Sequence, residues 1–500
     1  MLLYHSGVPK KATTLPLPLS RPQQAPRFRW FYEELRSAIL AGRLQPGARL
    51  PATRDLAREY GLSRGTIVAA FEQLGSEGYV EGKIGSGTYV SQVLPEELLQ
   101  VSRVRAQGGT SRRRPQLSVY ARRLRPVPVV ERGPARAFRA NLPALDAFPI
   151  ALWAQVAARR LRRVSWRLLA GGDPLGYFPL RQAVADYLNT SRGVKCSPEQ
   201  VLIVSGVQEA LDRAAHLLLN PRDPVWMEEP GYPRAAVVFR AVGARICPTP
   251  VDGEGFDLRF GKRRWRRAKL VYVTPAHQFP LGVTMSLRRR LELLEWARES
   301  GALIFEDDYD SEYRYAGRPI PAMQGLDRSG VVIFSGSFSD VLFPALRLGY
   351  VVVPPDLVDA FAAAESSSTH HPPPLEQAIL SDFINEGHFA RHIRRMRELY
   401  AERLAAFLEA AHSRLAGLLQ IPPVEAGLQT VGWLQGKLSA EQAAAAARKH
   451  DVEVVPLSRY SRVHRTRGLL LGFAAVDVPE LRSGVERLAQ ALEEQLKLTG

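Results

Sequence analysis

The stretch 31-FYEELRSAILAGRLQPGARLPATRDLAREYGLSRGTIVAAFEQLGSEGYVEGKIGSGTYV-90 decides the fold of the N-terminal part of the chain. Apolar residues recur at helical spacing in three runs that are separated by glycines. Thr53 is placed to cap the second helix, Gly61 to end it, and Ser63 to cap the third. Only the turn GLS separates the last two helices, and this arrangement predicts a helix-turn-helix.

Two short strands are expected directly after the third helix. Gly78 ends that helix, and the runs YVE and TYV flank the glycine-rich loop GKIGSG. Glycines in such a hairpin let the backbone approach a groove closely. The sequence therefore predicts a wing beside the helix-turn-helix.

Basic and hydroxyl side chains stand where DNA contact would need them. Arg64 lies at the N-terminal end of the third helix, where side chains reach base edges and backbone amides face phosphate. Arg54 opens the preceding helix, and Ser63 and Thr66 offer hydroxyls. A lone arginine is more often a solvated surface charge, but the caps, turn and wing together favour DNA binding.

This part of the chain resembles the winged helix-turn-helix of GntR-type regulators. The matching residues are LQPGARLPATRDLA, GLSRGTI, EGYVEG and GSGTYV, within about residues 28–91. Gly65 stands where that family often has a polar side chain, so one base contact is expected to be missing. The resemblance implies DNA contacts by Arg54, Ser63, Arg64, Thr66 and Gly85.

Bulk properties bound the function classes. The chain has 500 residues and a net charge of +17, which suits a nucleic-acid partner but also an arginine-rich proteome. Its two cysteines form no CxxC pair, so we expect a reducing cytoplasm and no zinc site. No apolar run of 18 residues and no signal peptide is seen, and no membrane partner is expected.

We divide the chain into four segments: a disordered N-terminus (1–26), a DNA-binding domain (27–92), a linker (93–135) and a large domain (136–500). Residues 101–140 contain eleven arginines and one acid. Such a segment is expected to be an extended spacer, and contact with the DNA backbone is the alternative.

The large domain alternates strand-like and helical runs. Apolar runs at 201–206, 269–275, 302–308 and 331–337 are bounded by turn residues and separated by helical stretches. This alternation predicts an α/β fold with a mainly parallel sheet. From about residue 376, helical sequence leads into a smaller α+β subdomain.

Seven stretches of this domain resemble fold-type I aminotransferases, and more closely the MocR-type regulators that fuse such a domain to a GntR-type head. The resemblance spans about residues 136–495 and implies a pyridoxal phosphate (PLP) transferase fold and a homodimer. The stretches are GDPLGYFPLRQAVADYL, VSGVQEAL, EEPGYPRA, TPAHQFPLG, EDDYDSEYRY, FSGSFSDVLFPALRLGY and GHFARHIRRMRELYAER.

The resemblance also implies a cofactor site. Asp307 matches the carboxylate that pairs with the pyridine nitrogen, and Arg234 lies where related regulators hold an effector group. A helix that begins after Gly206 could hold the phosphate at its N-terminus. The implied cofactor contacts are Gly206, Val207, Tyr232, Asp307, Tyr309, Ser337 and Arg347.

The chain departs from the family at the catalytic lysine. The pattern SFSK would place that lysine at residue 340, but the chain has Asp340, and a carboxylate cannot form a Schiff base. No catalytic residue is therefore assigned, and PLP is expected to bind non-covalently or not at all. Leu470 replaces the carboxylate-binding arginine, and Phe279 stands where the enzymes often have asparagine.

Several alternatives stay open. The pocket either is an empty dimerisation scaffold or binds a ligand with its own amine, such as pyridoxamine phosphate, paired with Asp340. His370 and His371 lack a third ligand, so no metal is expected. We predict a regulator that binds a double-stranded DNA operator and a small effector, an amino acid or a vitamin B6 form. A PLP-dependent aminotransferase with a DNA-binding head and a ligand-independent repressor are the alternatives.

Overall fold

A computed structural model describes residues 26–83, 85–93, 116–124, 133–317, 321–463 and 466–499. The chain divides into two compact units, Met1–Pro115 and Gln116–Gly500. The predicted disordered N-terminus, up to residue 25, lies outside the described residues, as does most of the predicted linker.

The N-terminal unit has the predicted three helices and two strands. The hairpin pairs its strands antiparallel, with Val80 opposite Val90 and Lys83 opposite Gly87. Helix α3 packs on α1 and on α2. The elements are α1 (Arg27–Leu40), α2 (Thr53–Glu59), α3 (Arg64–Ser76), β1 (Val80–Lys83) and β2 (Gly87–Val90).

The helix caps agree with the sequence at one site and differ at another. Ser63 accepts a hydrogen bond from the amide of Thr66 at 3.1 Å, as predicted. The prediction that Thr53 caps α2 is wrong, because Ala52 occupies the N-cap and its side chain makes no capping bond. The carbonyl of Ala52 accepts the amides of Asp55 and Leu56, so the helix begins one residue earlier than predicted.

An apolar core holds the head together. Phe31, Leu35, Leu56, Ile67 and Leu74 are buried to 0 % exposure and come from all three helices. Burial of side chains of this size contributes about 1.5–3 kcal/mol each. The core therefore fixes the orientation of α3, the predicted recognition helix.

The large unit is built on an eight-stranded sheet in the order β3-β10-β9-β8-β7-β4-β5-β6. Strands β9, β8, β7, β4 and β5 are parallel neighbours, as predicted, whereas β10 runs antiparallel between β9 and β3. The strands are β3 (Val201–Val204), β4 (Pro224–Glu229), β5 (Arg245–Asp252), β6 (Gly255–Phe256), β7 (Leu270–Val273), β8 (Leu303–Asp308), β9 (Val332–Ser337) and β10 (Gly349–Val352).

Helices cover this sheet. The segment predicted as a linker contains one of them, and its Tyr120 ring lies 5.5 Å from that of His216. The helices are α4 (Val119–Arg123), α5 (Ile150–Arg162), α6 (Trp166–Ala170), α7 (Phe178–Ser191), α8 (Val207–Leu218), α9 (Pro233–Ala241), α10 (Leu258–Arg264), α11 (Leu287–Ser300), α12 (Met323–Leu326), α13 (Val358–Ser368) and α14 (Pro374–Asn385).

The small subdomain has a four-stranded antiparallel sheet in the order β11-β12-β14-β13. The long helix α15 joins it to the rest, with Phe389 and Ile393 in one core and Leu404 and Phe407 in the other. The boundary thus falls within α15 and not near residue 376. The elements are α15 (His388–Arg414), β11 (Leu419–Gln420), β12 (Gln429–Leu434), α16 (Ala440–Lys449), β13 (Val455–Pro456), β14 (Gly468–Gly472) and α17 (Val478–Thr499).

Candidate functional site

The N-terminal end of α3 presents the residues that the sequence singled out. Arg64 is exposed, and the hydroxyls of Ser63 and Thr66 lie 2.8 Å apart. Arg54 is exposed in the first turn of α2. Neither guanidinium makes a hydrogen bond or ion pair within the described part of the chain, so both are available to phosphate or base edges.

The wing carries basic residues that sequence reasoning missed. Gly85 lies near its tip with φ +75°, and a side chain there would meet nothing within 4 Å. Lys83 lies 5.2 Å from the centre of the Tyr89 ring. The backbone of Arg49 forms an isolated antiparallel β-bridge with Tyr89. Nε of Arg49 would lie 3.3 Å from a Cβ built on Gly87. The GARLP motif held Arg49, but the motif alone does not place it beside the hairpin.

In the large unit, Gly206 and Arg347 come together at the start of α8. Gly206 is the N-cap, with φ +121°, and a Cβ built there would lie 3.7 Å from Nη2 of Arg347. Arg347 makes no hydrogen bond or ion pair within the described residues. A helix N-terminus beside an arginine fork is suited to a phosphate group. Val207 begins the helix, and Ser337 ends β9, with its Oγ accepting the amide of Ser339 at 3.1 Å.

Asp307 is a buried carboxylate with one unused oxygen. Its Oδ2 accepts the Tyr272 hydroxyl at 2.7 Å, whereas its Oδ1 is buried with no partner among the described residues. Burial raises the pKa of Asp307 to about 7, against the opposing effect of Tyr272. An orphaned buried oxygen needs an explanation, and a ring N–H of a bound pyridine would supply the missing donor.

Phe279 is the centre of an aromatic cluster. Its ring meets those of Tyr232, Tyr309 and Tyr460 edge to face, with centroids 5.7, 5.9 and 5.1 Å away. The Tyr309 hydroxyl lies 3.0 Å from Nδ1 of His277. Tyr460 and His277 were not predicted, because no local pattern connects them to Tyr309.

A loop of the small subdomain is tied to this region. One oxygen of Glu229 accepts the amides of Arg462 and Val463, at 2.6 and 3.1 Å. The amide of Gly231 donates to the carbonyl of Tyr460 at 3.0 Å. The aromatic cluster therefore spans both parts of the large unit.

Asp340, for which the sequence resemblance implies the lysine position, has no partner among the described residues. It is half-buried, and its carboxylate accepts no hydrogen bond and forms no ion pair within the described ranges. No salt bridge joins it to Arg347 within the described ranges. Burial raises the pKa of Asp340 to about 8, with further contributions from Asp310, Asp307 and Glu312.

Two further positions singled out in the sequence are Arg234 and Leu470. Arg234 is half-buried in the first turn of α9, and no described residue binds its guanidinium. Leu470 is fully buried against Val431 and Leu457. The nearby Arg467 donates to the carbonyls of Gly436 and Leu438. Arg465 lies outside the described residues.

No metal site is found in the described parts of the chain. His371 lies against Gly171 and Gly172, and its Nδ1 is 3.0 Å from the carbonyl of Pro372. None of the helices in the described ranges is long and apolar enough to cross a membrane.

Residues 31–90 match the gntR family of bacterial regulatory proteins, and residues 149–488 match aminotransferase class I and II. The chain is 42% identical over 477 residues, 95% of both chains, to the probable rhizopine catabolism regulatory protein MocR of Rhizobium meliloti. The chain belongs to the MocR-type regulators of the GntR family.

Further similarities agree with this family. An HTH-type transcriptional regulator of Bacillus subtilis, YdeL, is 33% identical, with 95% of this chain and 98% of that one covered. The Thermus thermophilus α-aminoadipate aminotransferase LysN, solved with N-(5'-phosphopyridoxyl)-L-leucine, is 31% identical with a TM-score of 0.67, over 72% of this chain and 92% of that one. The large unit of this MocR-type chain therefore has the aminotransferase fold.

Proposed function

We propose that this MocR-type regulator controls transcription in response to a vitamin B6 phosphate that its large unit binds without a covalent bond. The family establishes the class of regulator, and GntR-type regulators bind DNA operators. The proposal adds the DNA contacts, the ligand and the way in which they are connected. A DNA target places its action in the cytoplasm.

For the DNA contacts, we assign the N-terminal end of α3 and the wing. Arg54 and Arg64 are exposed and unpaired within the described chain, and Ser63 and Thr66 expose hydroxyls beside Arg64. Arginine at this end of a recognition helix reaches guanine edges or phosphates. Gly85 leaves the wing tip free of side-chain bulk.

For the ligand, the remaining cofactor residues fit a phosphopyridoxyl group. Gly206, Val207, Ser337 and Arg347 would hold its phosphate, and the unused Oδ1 of Asp307 would accept a hydrogen bond from its ring nitrogen. Tyr232 belongs to the aromatic cluster that would pack against the ring. When bound, such a group supplies an electron-withdrawing ring, but this chain has no amine at residue 340 to attach it.

Asp340 carries the choice between the two forms of the ligand. Its carboxylate lies near Asp307, Asp310 and Glu312, so this end of the pocket is acidic, and no cation among the described residues pairs with Asp340. The ammonium of pyridoxamine phosphate would supply that cation, whereas the neutral aldehyde of pyridoxal phosphate would not. The unpartnered Asp340 is the single observation on which this preference rests.

We further propose a homodimer in which two heads bind two operator half-sites, as the aminotransferase fold suggests by resemblance. A ligand that binds one domain arrangement better than another shifts the population toward it. Arg234, half-buried and unpaired among the described residues, is the residue we assign to a second group of the effector.

The test is DNA binding by the full-length chain. Duplexes are selected from a random pool, and their affinity is measured by fluorescence anisotropy with and without pyridoxamine phosphate. A change of about tenfold corresponds to the 1–3 kcal/mol of a typical coupling. Tight DNA binding that no B6 form or amino acid alters would identify a ligand-independent repressor instead, and absence of specific DNA binding would overturn the assigned contacts.

A further inference from the structure

A second cavity, distinct from the proposed effector pocket, lies in the large unit. Its volume is about 370 Å³, and it is lined by the loop at residues 311–317 and by helices α7 and α15. None of the residues assigned to the phosphopyridoxyl group lines it. Its wall contains one carboxylate, Glu312, and five arginines: Arg192, Arg290, Arg314, Arg394 and Arg397.

Two of these arginines are neutralised by the chain itself. Arg192 forms an ion pair with Asp308 at 2.9 Å, and Arg314 forms one with Glu425 at 3.1 Å. These two ion pairs therefore add no net charge to the cavity. Any excess positive charge must come from the other three arginines.

The remaining arginines have no carboxylate within 4.0 Å among the described residues. Arg290 donates to the carbonyls of Met285, Pro275 and Pro321. Arg397 donates twice to the carbonyl of Glu312, at 3.0 and 2.8 Å. Arg394 is exposed and has no hydrogen-bond partner within the described chain. The exposed guanidinium groups of Arg394 and Arg397 therefore face one acid, Glu312, whereas Arg290 is fully buried.

Polar groups in and behind the wall also lack partners. The Ser311 hydroxyl is buried and makes no hydrogen bond within the described residues, and Oδ1 of Asp308 is likewise unsatisfied. Buried polar atoms are normally paired with protein, water or ligand. Ser311 lines the cavity, so a bound ligand is one candidate for the missing partner of its hydroxyl.

We propose that this cavity is a second effector site, for a small ligand with at least two negative charges on carboxylate or phosphate groups. Guanidinium groups bind both kinds of group through paired N–H donors. The volume lies in the range of small-molecule sites. Arg394 and Arg397, one helical turn apart on α15, would bind the ligand at the mouth, and Ser311 would bind it inside.

The site would give the regulator an input separate from Asp340. Tyr309 belongs to the proposed effector pocket, whereas Ser311 and Glu312 belong to this cavity, so one loop forms part of both walls. Tyr187 secures the loop by donating to Glu312 at 2.8 Å. A ligand here would act on the segment that follows Asp307.

The experiment is calorimetric titration of the full-length chain with citrate and, separately, with inorganic phosphate, at an ionic strength held constant with sodium chloride. We expect saturable binding of at least one probe. The Arg394→Ala/Arg397→Ala variant should bind at least about tenfold more weakly, since it loses the charge-assisted hydrogen bonds of two guanidinium groups. Arg391→Ala is the matched control, because Arg391 is exposed on the same helix and donates to Glu386 outside the cavity.

Arg394→Ala alone tests the site without loss of any bond within the described chain. Binding of citrate alone would indicate a ligand with carboxylate groups, and binding of phosphate alone would indicate a phosphate ester. Binding of both probes would indicate a site that selects for negative charge. Arg394→Ala should leave the affinity for pyridoxamine phosphate unchanged, so failure here is distinguishable from failure of the proposed function. No saturable binding of either probe, or equal affinity in the double variant, would overturn the proposal.

Discussion

Replacement of Asp340 by asparagine is expected to stabilise the ligand-free large unit at neutral pH. The change removes an ionisable group whose pKa is raised from its ordinary 3.8 to about 8, chiefly by burial. At pH 7 the gap is a little over three pH units, and each unit corresponds to 1.36 kcal/mol, so the upper value is about 4 kcal/mol. Because water reaches a half-buried side chain, we expect about 2–4 kcal/mol.

The sign of the pH dependence follows from the direction of the shift. A carboxyl with a raised pKa keeps its proton in the folded protein and loses it on unfolding. Its unfavourable contribution is therefore absent below about pH 4, grows as the pH rises toward 8, and is constant above. The stability difference between Asp340→Asn and the wild-type chain should follow this course.

The assay is thermal unfolding of both proteins between pH 4 and 9, without added ligand. Because the chain has more than one domain, the transition of the large unit is followed by its tryptophans near the sheet, such as Trp226. Asp356→Asn, a change at an exposed turn residue, is the control. An equal difference in stability between the two proteins at pH 4 and pH 8 would show that Asp340 does not destabilise the ligand-free fold through its raised pKa. A wild-type chain more stable than the variant at pH 8 would show the same.

Three further predictions concern single side chains. Asp340→Lys, mixed with pyridoxal phosphate, should gain an absorbance band of covalently attached cofactor that borohydride removes; a band of equal strength in the wild-type chain would contradict the account. Tyr272→Phe removes the donor to Asp307 and should weaken binding of pyridoxamine phosphate about tenfold by calorimetry, whereas unchanged affinity would show that Asp307 does not contact the ligand. Arg64→Ala should cost about 1–3 kcal/mol of specific DNA affinity by anisotropy, and Arg58→Ala, an exposed change at the end of α2, should not; equal losses would place the contact elsewhere.

Local signals predicted the head well. The Ser63 cap, the short GLS turn and the glycine-flanked hairpin act within a few residues, and the structure has all three. Thr53 shows the limit of such signals. A threonine at a helix start predicts a cap, but the backbone before it began the turn at Ala52, and only the hydrogen-bond pattern shows this.

Four strands of the large unit, β3, β7, β8 and β9, were also visible as apolar runs, because both faces of the sheet are covered. The order of the strands in the sheet could not be read from the sequence. The antiparallel strand β10 lies between β9 and β3, which are more than a hundred residues apart in the chain. Such pairing depends on contacts distant in sequence, and periodicity carries no information about them.

The residues of the candidate site were likewise predicted only in part. Motif resemblance selected Asp307, Tyr309 and Asp340, and the structure places all three near one another. Tyr460 and His277 reach the same region from other segments, and no motif connected them to it. Only the three-dimensional structure could show that Asp340 has no partner among the described residues.

The most direct test of the non-covalent amine site compares the affinities of pyridoxamine phosphate and pyridoxal phosphate by calorimetry, in the wild-type chain and in Asp340→Asn. We expect the wild-type chain to bind the amine form about tenfold more tightly and the asparagine variant to lose this preference. Tighter binding of the aldehyde form by the wild-type chain, or an undiminished preference in the variant, would contradict this expectation.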